Sequence, residues 1–495
     1  MNSAYYGDGE PIAAIATPLG ESALALIRTS GGGEGGEGGQ SAIKLLARVF
    51  SRPRSLLSAP GNSIVHGWIV EKNAAGGSGK KLDEVLVSVY RAPRSYTGED
   101  GADISCHGGI AAVKAVMAAL KRAGFREALP GEFTFRAFMN GKLDLTAAES
   151  VMEIVAAKTG RARDNALRRL AGALEREISA IKNLLVEILA GAEIYLDYSE
   201  DEFLSPDGDE EASRLPGRKT AEEAARRLKA LSELWRRERI YAEGALAVIA
   251  GRPNAGKSSL FNYLLAEDRS IVTDAPGTTR DWIEALVSVE DIPLRLADTA
   301  GLGEPSNEIS EAERIGINRS LELLDKADIV LYVIDGSAGV TEGDGEFLSR
   351  RKETAPRQPL LVLWNKADLK PPPSFPDGRL PGALLAVSAK TGEGIPALTA
   401  SIAGLLEAAS GASGAIGRYA VGGEAVGPGT SRQKELIDSS LSSVEEALAL
   451  SDKGEPLDII APLFRSAVDA LGEITGDVYS ADILEVMFSR FCVGK

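Results

Sequence analysis

Cysteine and histidine are nearly missing from this 495-residue chain, which has two of each: Cys106, Cys492, His66 and His107. Two cysteines exclude a disulfide framework and any multi-cysteine zinc site. With so few nitrogen and sulfur ligands, a dedicated transition-metal centre is not expected. No uninterrupted apolar run reaches the length of a membrane span. The opening MNSAYYGDGEPIAAIATP has neither the basic start nor the longer apolar core of a signal peptide, so a cytoplasmic location is expected. Positive charge is also in deficit: 55 Lys and Arg stand against 71 Asp and Glu, a formal net charge of −16. Such a chain is not expected to hold nucleic acid by a general attraction for phosphate. An RNA partner would have to be met by a local basic patch or by another subunit.

The length accommodates about three domains, and a 44% hydrophobic share permits large cores. Residues 12–29 have the pattern of two short apolar strands around a Gly-containing turn. The run GGGEGGEGGQ, Gly31 to Gln40, lacks the Lys-Ser/Thr ending of a phosphate loop and is expected to be a flexible insertion. Further strands and a helix follow, with His107 taken as a turn residue in CHGG. The mixture predicts an α+β domain over 1–142. From 143 the pattern is helical, with one apolar stripe through Leu167, Leu170, Leu174, Ile178, Ile181, Leu185 and Ile188. Over 244–408 the short apolar runs ALAVIA, PLRLAD, DIVLYVID, PLLVLWN and ALLAVS alternate with helices, the pattern of a doubly wound parallel sheet. Helical periodicity returns in 409–495 after a Gly/Ala/Ser-rich linker. The expected fold class is therefore multidomain. An α+β N-terminal domain precedes a helical domain in two parts, 143–243 and 409–495, with an α/β nucleotide-binding domain inserted at 244–408.

The inserted segment carries the chemistry. Gly251-Arg-Pro-Asn-Ala-Gly-Lys-Ser258 fits G-x-x-x-x-G-K-[ST] between an apolar strand and a helix. Glycines let backbone N–H groups approach phosphates, and the helix N-terminus favours the anion. The candidate nucleotide contacts are Asn254, Ala255, Gly256, Lys257, Ser258 and Ser259. Lys257 would neutralise the β/γ oxygens, and Ser258 would bind Mg²⁺. In Asp298-Thr299-Ala300-Gly301, Asp298 would hold Mg²⁺ directly or through water, and the Gly301 amide would sense the γ-phosphate. Thr273, Asp274, Ala275, Pro276, Gly277, Thr278 and Thr279 lie between these motifs, with Thr279 the candidate to complete the Mg²⁺ shell. Asn365-Lys366-Ala367-Asp368 ends another strand. The Asp368 carboxylate can accept from guanine N1–H and the 2-amino group, donors that adenine lacks. Ser388, Ala389 and Lys390 would support the base. All five motifs, in order, resemble the translation-factor-like GTPase class. Leu302 stands where Ras-like enzymes carry a water-orienting glutamine, so hydrolysis needs another carboxylate or amide and another cation.

The resemblance extends beyond the nucleotide motifs. IAAIATP, SYTGED, CHGG and PGEFTFRAFMNGKLDLTAAE at the front, DTAGLGE and ERIGI in the middle, and GEITG and FCVGK at the end resemble the bacterial tRNA-modification GTPase family of the MnmE (TrmE) type. That resemblance implies an N-terminal folate-binding domain that also forms a homodimer, a central helical domain and the inserted GTPase domain. It implies work with a flavin-dependent partner to add an aminomethyl-type group at C5 of the wobble uridine of certain tRNAs, much of the tRNA contact being the partner's. By match, K⁺ is held by Asn254, Thr273, Ala275 and Thr278, and the water-orienting glutamate is Glu304. Contacts to 5-formyl-tetrahydrofolate fall on Arg28, Asp103, Lys142 and Lys495. Cys492 is a candidate catalytic residue by the same match, and a buried structural cysteine on its residue type alone. Two other classes compete: a ribosome-assembly GTPase that binds rRNA, and a folate-dependent one-carbon transferase with a regulatory GTPase domain.

Overall fold

The computed structural model describes residues 9–32, 41–71, 79–197, 217–267, 284–298, 322–356, 358–373, 383–409 and 426–494. The chain divides into two compact units, one of residues 1–152 with 472–495 and one of residues 153–471.

The first unit is built on six strands: β1 (Ile12–Ile15), β2 (Leu24–Ser30), β3 (Ser63–Glu71), β4 (Lys80–Tyr90), β5 (Gly101–His107) and β6 (Arg126–Glu127). Their order is β3-β4-β5-β2-β1-β6, with only the β1–β6 pair parallel. Alternation along β4 fixes the buried face. Val85, Val87 and Val89 are buried while Leu86 between them is exposed. A one-residue slip would exchange the two faces, so this pattern sets the register. Helices α1 (Ala42–Leu46), α2 (Pro53–Leu57) and α3 (Ile110–Ala123) cover that face through Ile43, Leu45, Leu56, Val116 and Leu120. The opposite face leaves Leu24 (65%), Ile64 (68%) and Leu86 (48%) open.

Helix α4 (Glu132–Met139) begins at Gly131, whose φ is +69°. A Cβ there would lie 2.5 Å from the Phe488 carbonyl oxygen, so only glycine fits. This close approach seats α15 (Ala481–Phe488) on α4, with Phe135 edge-on to Phe488 at 5.5 Å. The Gly131 N–H donates to the Cys492 carbonyl at 3.5 Å. Fully buried Glu132 pairs with Arg126 and Arg136. Burial opposes its ionisation, and those two guanidiniums outweigh it and hold the carboxyl below its usual range.

The second unit takes in only the end of α5 (Leu145–Ala156), then α6 (Gly160–Leu170), α7 (Ala173–Asp197) and α8 (Arg218–Glu243). The apolar stripe expected from Leu167 onward is two stripes. Leu174, Ile178, Ile181, Leu185 and Ile188 are buried on α7, but Leu167 is 44% exposed. The reason is Gly172, at φ +80°, which ends α6 and resets the helical register before α7. Ala162, Ala166 and Arg169 form the buried side of α6 instead. Arg169 bonds Glu153, Glu238 on α8 and the Gly427 carbonyl, so α6, α8 and the 426–428 segment meet at one cation.

After α8 come β7 (Ala245–Gly251), α9 (Lys257–Glu267), β8 (Glu284–Val289), β9 (Ile292–Asp298), a helix α10 described over 322–326, β10 (Ile329–Asp335), α11 (Glu342–Thr354), β11 (Leu360–Asn365), β12 (Ala383–Ala386) and α12 (Ile395–Ala409). The sheet order is β12-β11-β10-β7-β9-β8, parallel except for β8. Every residue of β7 is buried, as a central parallel strand requires. Helices α13 (Ser431–Asp452) and α14 (Leu457–Thr475) follow. α13 lies against α8, with the Ser232 hydroxyl donating to Asp438 at 2.8 Å. Among the described residues no helix is long and apolar enough to cross a membrane.

Candidate functional site

The carboxyl ends of the five parallel strands converge, the place where open α/β sheets hold ligands. β7 ends in Gly251, which permits a Cβ-free approach to the Val333 carbonyl of β10, 2.3 Å from where a Cβ would stand. The chain then turns through Asn254 (φ +63°) and Gly256 (φ +93°) into α9. A Cβ on Gly256 would lie 2.2 Å from the Asn365 amide nitrogen. That nitrogen donates to the Ala255 carbonyl at 2.8 Å, while the Asn365 oxygen accepts from the Ala389 N–H at 3.1 Å. One buried side chain therefore ties the loop before α9 to the segment after β12. Lys366 completes the clasp. Its ammonium donates to the Asn254 carbonyl at 3.1 Å and to Asp335 at 2.6 Å. Burial resists ionisation of Asp335, but its bonds from Lys366 and Ser337 hold the carboxyl below the usual range.

Lys257 is buried, and its ammonium donates to the Arg252 carbonyl at 2.9 Å. Burial lowers its pKa, with Asp298 opposing. The Ser258 hydroxyl donates to Asp298 at 2.9 Å. Among the described residues the other Asp298 oxygen is buried with no hydrogen-bond partner. A buried carboxylate oxygen needs a cation or a donor, and a hard cation such as Mg²⁺ suits an oxygen pair of this kind. Asp368 is exposed at the rim and free of hydrogen bonds and ion pairs among the described residues, so its carboxylate is open to a base edge. Ser388 is held by the Thr391 N–H at 3.2 Å, placing Ala389 beside Asn365, with Lys390 exposed beyond it. Ser259 is exposed on the first turn of α9. Thr273, Asp274, Ala275, Pro276, Gly277, Thr278, Thr279, Thr299, Ala300, Gly301 and Glu304 lie outside the described residues. Asp335 is a residue that motif reading missed. Its signal is positional: it ends DIVLYVID and pairs in register with Asn365.

In the first unit, Arg28 and Asp103 are direct cross-strand neighbours on β2 and β5. Their side chains pair with each other, Arg28 Nε to Asp103 Oδ1 at 3.0 Å. Arg28 also donates to the Gly494 carbonyl at 3.2 Å and lies 5.9 Å from the Tyr96 ring centre and 6.0 Å from that of Phe133. Tyr90 belongs to this group. Burial, and then the Asp103 charge, raise its phenol pKa. Lys142 is exposed and donates to the Pro93 carbonyl at 3.1 Å. Lys495 lies outside the described residues. Cys492 is exposed, so it is not a core-packing cysteine, whereas Cys106 is buried and its thiol is pushed up to about 11 by burial. His107 pairs with Asp83 at 2.6 Å where β5 ends, a turn position.

The phosphate loop, the Ser258–Asp298 pair and the Asn365–Lys366 clasp on this sheet define a P-loop GTPase. The family is specific. The GTP-binding protein TrmE N-terminus matches residues 11–142, and the MnmE helical domain matches residues 145–492. The tRNA modification GTPase MnmE of Treponema denticola is 41% identical over 506 residues, covering 100% of both chains. Those of Carboxydothermus hydrogenoformans and Borreliella burgdorferi are 38% and 37% identical, covering 98% and 100% of this chain and 99% and 100% of theirs. The chain belongs to the MnmE family of tRNA modification GTPases.

Proposed function

We propose that the chain hydrolyses GTP, with Mg²⁺ and K⁺, as one half of a tRNA-modifying system. A flavin-dependent protein is the other half, and the product is an aminomethyl-type group at C5 of the wobble uridine. The observation that carries the GTPase half is the Asp298 oxygen, beside Ser258 and without a partner among the described residues, next to the buried Lys257. Lys257 neutralises phosphate oxygens, and Ser258, Asp298 and Thr279 hold Mg²⁺ directly or through water. Asp368 selects guanine, supported by Ser388, Ala389 and Lys390. Asn254, Thr273, Ala275 and Thr278 hold K⁺, which supplies the charge that an arginine finger supplies in other GTPases. Glu304 orients the attacking water, the task left open by Leu302.

The N-terminal unit takes 5-formyl-tetrahydrofolate against Arg28, Asp103, Lys142 and Lys495, with Tyr90 and Tyr96 as neighbours. The mutual pairing of Arg28 and Asp103 supports a site in which Asp103 orients the guanidinium toward a ligand carboxylate. The uncovered Leu24, Ile64 and Leu86 face supports a homodimer through this unit. Cys492, exposed three residues from Lys495, is available as a reactive thiol. The setting is cytoplasmic. Wobble-uridine analysis of tRNA from cells lacking the chain tests the whole reading: loss of the modification is expected, and normal tRNA would remove the tRNA half while leaving the GTPase. GTP turnover in K⁺ against Na⁺ at equal ionic strength tests the cation. Faster turnover in K⁺ is expected, and equal rates would remove the K⁺ site.

A further inference from the structure

The acidic total conceals an uneven distribution. Residues 1–152 contain 16 Lys and Arg and 15 Asp and Glu, a net charge of +1, so the other residues carry −17. No carboxylate occurs between Glu37 and Glu71, yet that stretch holds Lys44, Arg48, Arg52 and Arg54. All four are exposed on or beside α1 and α2, and none is in an ion pair among the described residues. The loop after β4 adds Arg94, also exposed and without an ion pair there, and Lys142.

Local bonds hold these elements together. Arg91 donates to the Leu57 and Ala59 carbonyls at 2.9 and 3.3 Å, tying its loop to the end of α2. Arg91 and Arg94 bridge one another, and Lys142 reaches the carbonyl of Pro93. The carboxylates of this loop turn inward. Asp100 is 4% exposed and takes bonds from Ser41, Arg91 and the Ala92 N–H. Glu99 accepts from Ser30 and Arg136. The outward side is thus left cationic.

We infer that the α1–α2 segment and the Arg91–Arg94 loop form a phosphate-binding surface for tRNA on the N-terminal unit. The inference rests on the tRNA reading above and deepens it, because it puts a tRNA contact on this chain itself. Four of the six cations are arginines, whose forked donors match phosphate oxygens. An acidic protein partner would be expected to bury an apolar centre, and this strip offers no apolar patch, its large exposed apolar side chains being Leu57 and, in the loop after β4, Tyr96. Lys142 lies at its edge and is also a candidate folate contact, so bound tRNA would lie beside the one-carbon site.

The test uses the full chain with unmodified tRNA, titrated over a range of salt concentrations, with Arg54→Glu, Arg94→Glu and the double variant. GTP turnover and 5-formyl-tetrahydrofolate binding in the same proteins report on folding. The double variant is expected to lose tRNA affinity by roughly tenfold or more, and the slope of log affinity against log salt should shrink by about 1–2. Turnover and folate binding should remain at wild-type level, and Arg54→Lys should bind nearly as wild type. Unchanged affinity and slope in the double variant, with wild type binding tRNA, would overturn the surface alone. Wild type that binds no tRNA, with or without the flavin partner, would overturn the tRNA reading and this surface with it. Variants that lose polyglutamate binding but hold tRNA unchanged would assign the strip to an acidic protein and overturn the proposal.

Discussion

Asp291 caps helix α6 at Gly160 from 131 residues away: its carboxylate accepts the Gly160 N–H at 3.2 Å and the neighbouring Arg161 N–H at 3.1 Å. It sits at the tip of the β8–β9 hairpin, where Glu290 and Asp291 have φ of +48° and +64°. That is the geometry of a tight two-residue turn, which asparagine and aspartate tolerate best. Both strands of the hairpin lead from this turn back toward nucleotide motifs. Asp291→Ala removes the cap and puts a less suitable residue at positive φ. Denaturant unfolding should show a loss of about 1 kcal/mol, with Asp291→Asn losing less. Wild-type stability in the alanine variant would remove the cap from the account.

Gly256→Ala should abolish nucleotide binding while the fold survives. The new methyl would meet the Asn365 amide 2.2 Å away, at a φ of +93° that alanine avoids. Because Asn365 joins the phosphate loop to the Ala389 segment, phosphate and base contacts should weaken together. Fluorescent GDP titration is the check. Affinity within about threefold of wild type would mean the clasp adapts.

Asp368→Asn exchanges an acceptor for a donor at the guanine edge. GTP affinity should fall by roughly ten- to hundredfold, as expected for a mismatched polar contact, and xanthosine triphosphate should bind better. Competition between the two nucleotides measures it, and unchanged preference would detach Asp368 from the base.

Lys257 gives a pH signature. Burial lowers its pKa from the ordinary 10.5, and phosphate oxygens would raise it again. GTP binding should therefore take up a proton when the pH is above the lowered value, and affinity should decline as pH rises through it. For the free protein the sign is opposite: the unfolded lysine keeps its proton to higher pH, so stability rises with pH across that window. Calorimetry in alkaline buffers of different ionisation heat would show the uptake. A heat independent of buffer would place the lysine outside the phosphate contacts.

Arg28→Ala and Asp103→Ala should each weaken 5-formyl-tetrahydrofolate binding and leave GTP turnover near wild type, because among the described residues the two pair with each other and their local surroundings. Calorimetric titration decides. Undiminished binding in both variants would exclude this pair from the folate site.

The phosphate loop was legible because its residues answer to local rules: an apolar strand, glycines at positive φ, then a helix start. The Lys366–Asp335 contact was not. A strand-end aspartate has no motif of its own, and its role comes from lying in register beside Asn365. Helical periodicity likewise identified amphipathic segments near the C-terminus without naming the core they join. Helix α15 buries Leu484 and Phe488. Only the space that Gly131 leaves open says that Phe488 is buried against α4. Leu167 shows the same limit, since its spacing fits a helix that Gly172 has already ended.

The meeting of Gly131 with Phe488 and Cys492 also sets an order of events during synthesis. The strands of the N-terminal sheet leave the ribosome early, but the residues that close over α4 come more than three hundred positions later. At about 5–20 residues per second, that interval is on the order of tens of seconds. Through it, the nascent chain carries a pairing site for its own far end, while the whole nucleotide-binding unit is made and folds in between.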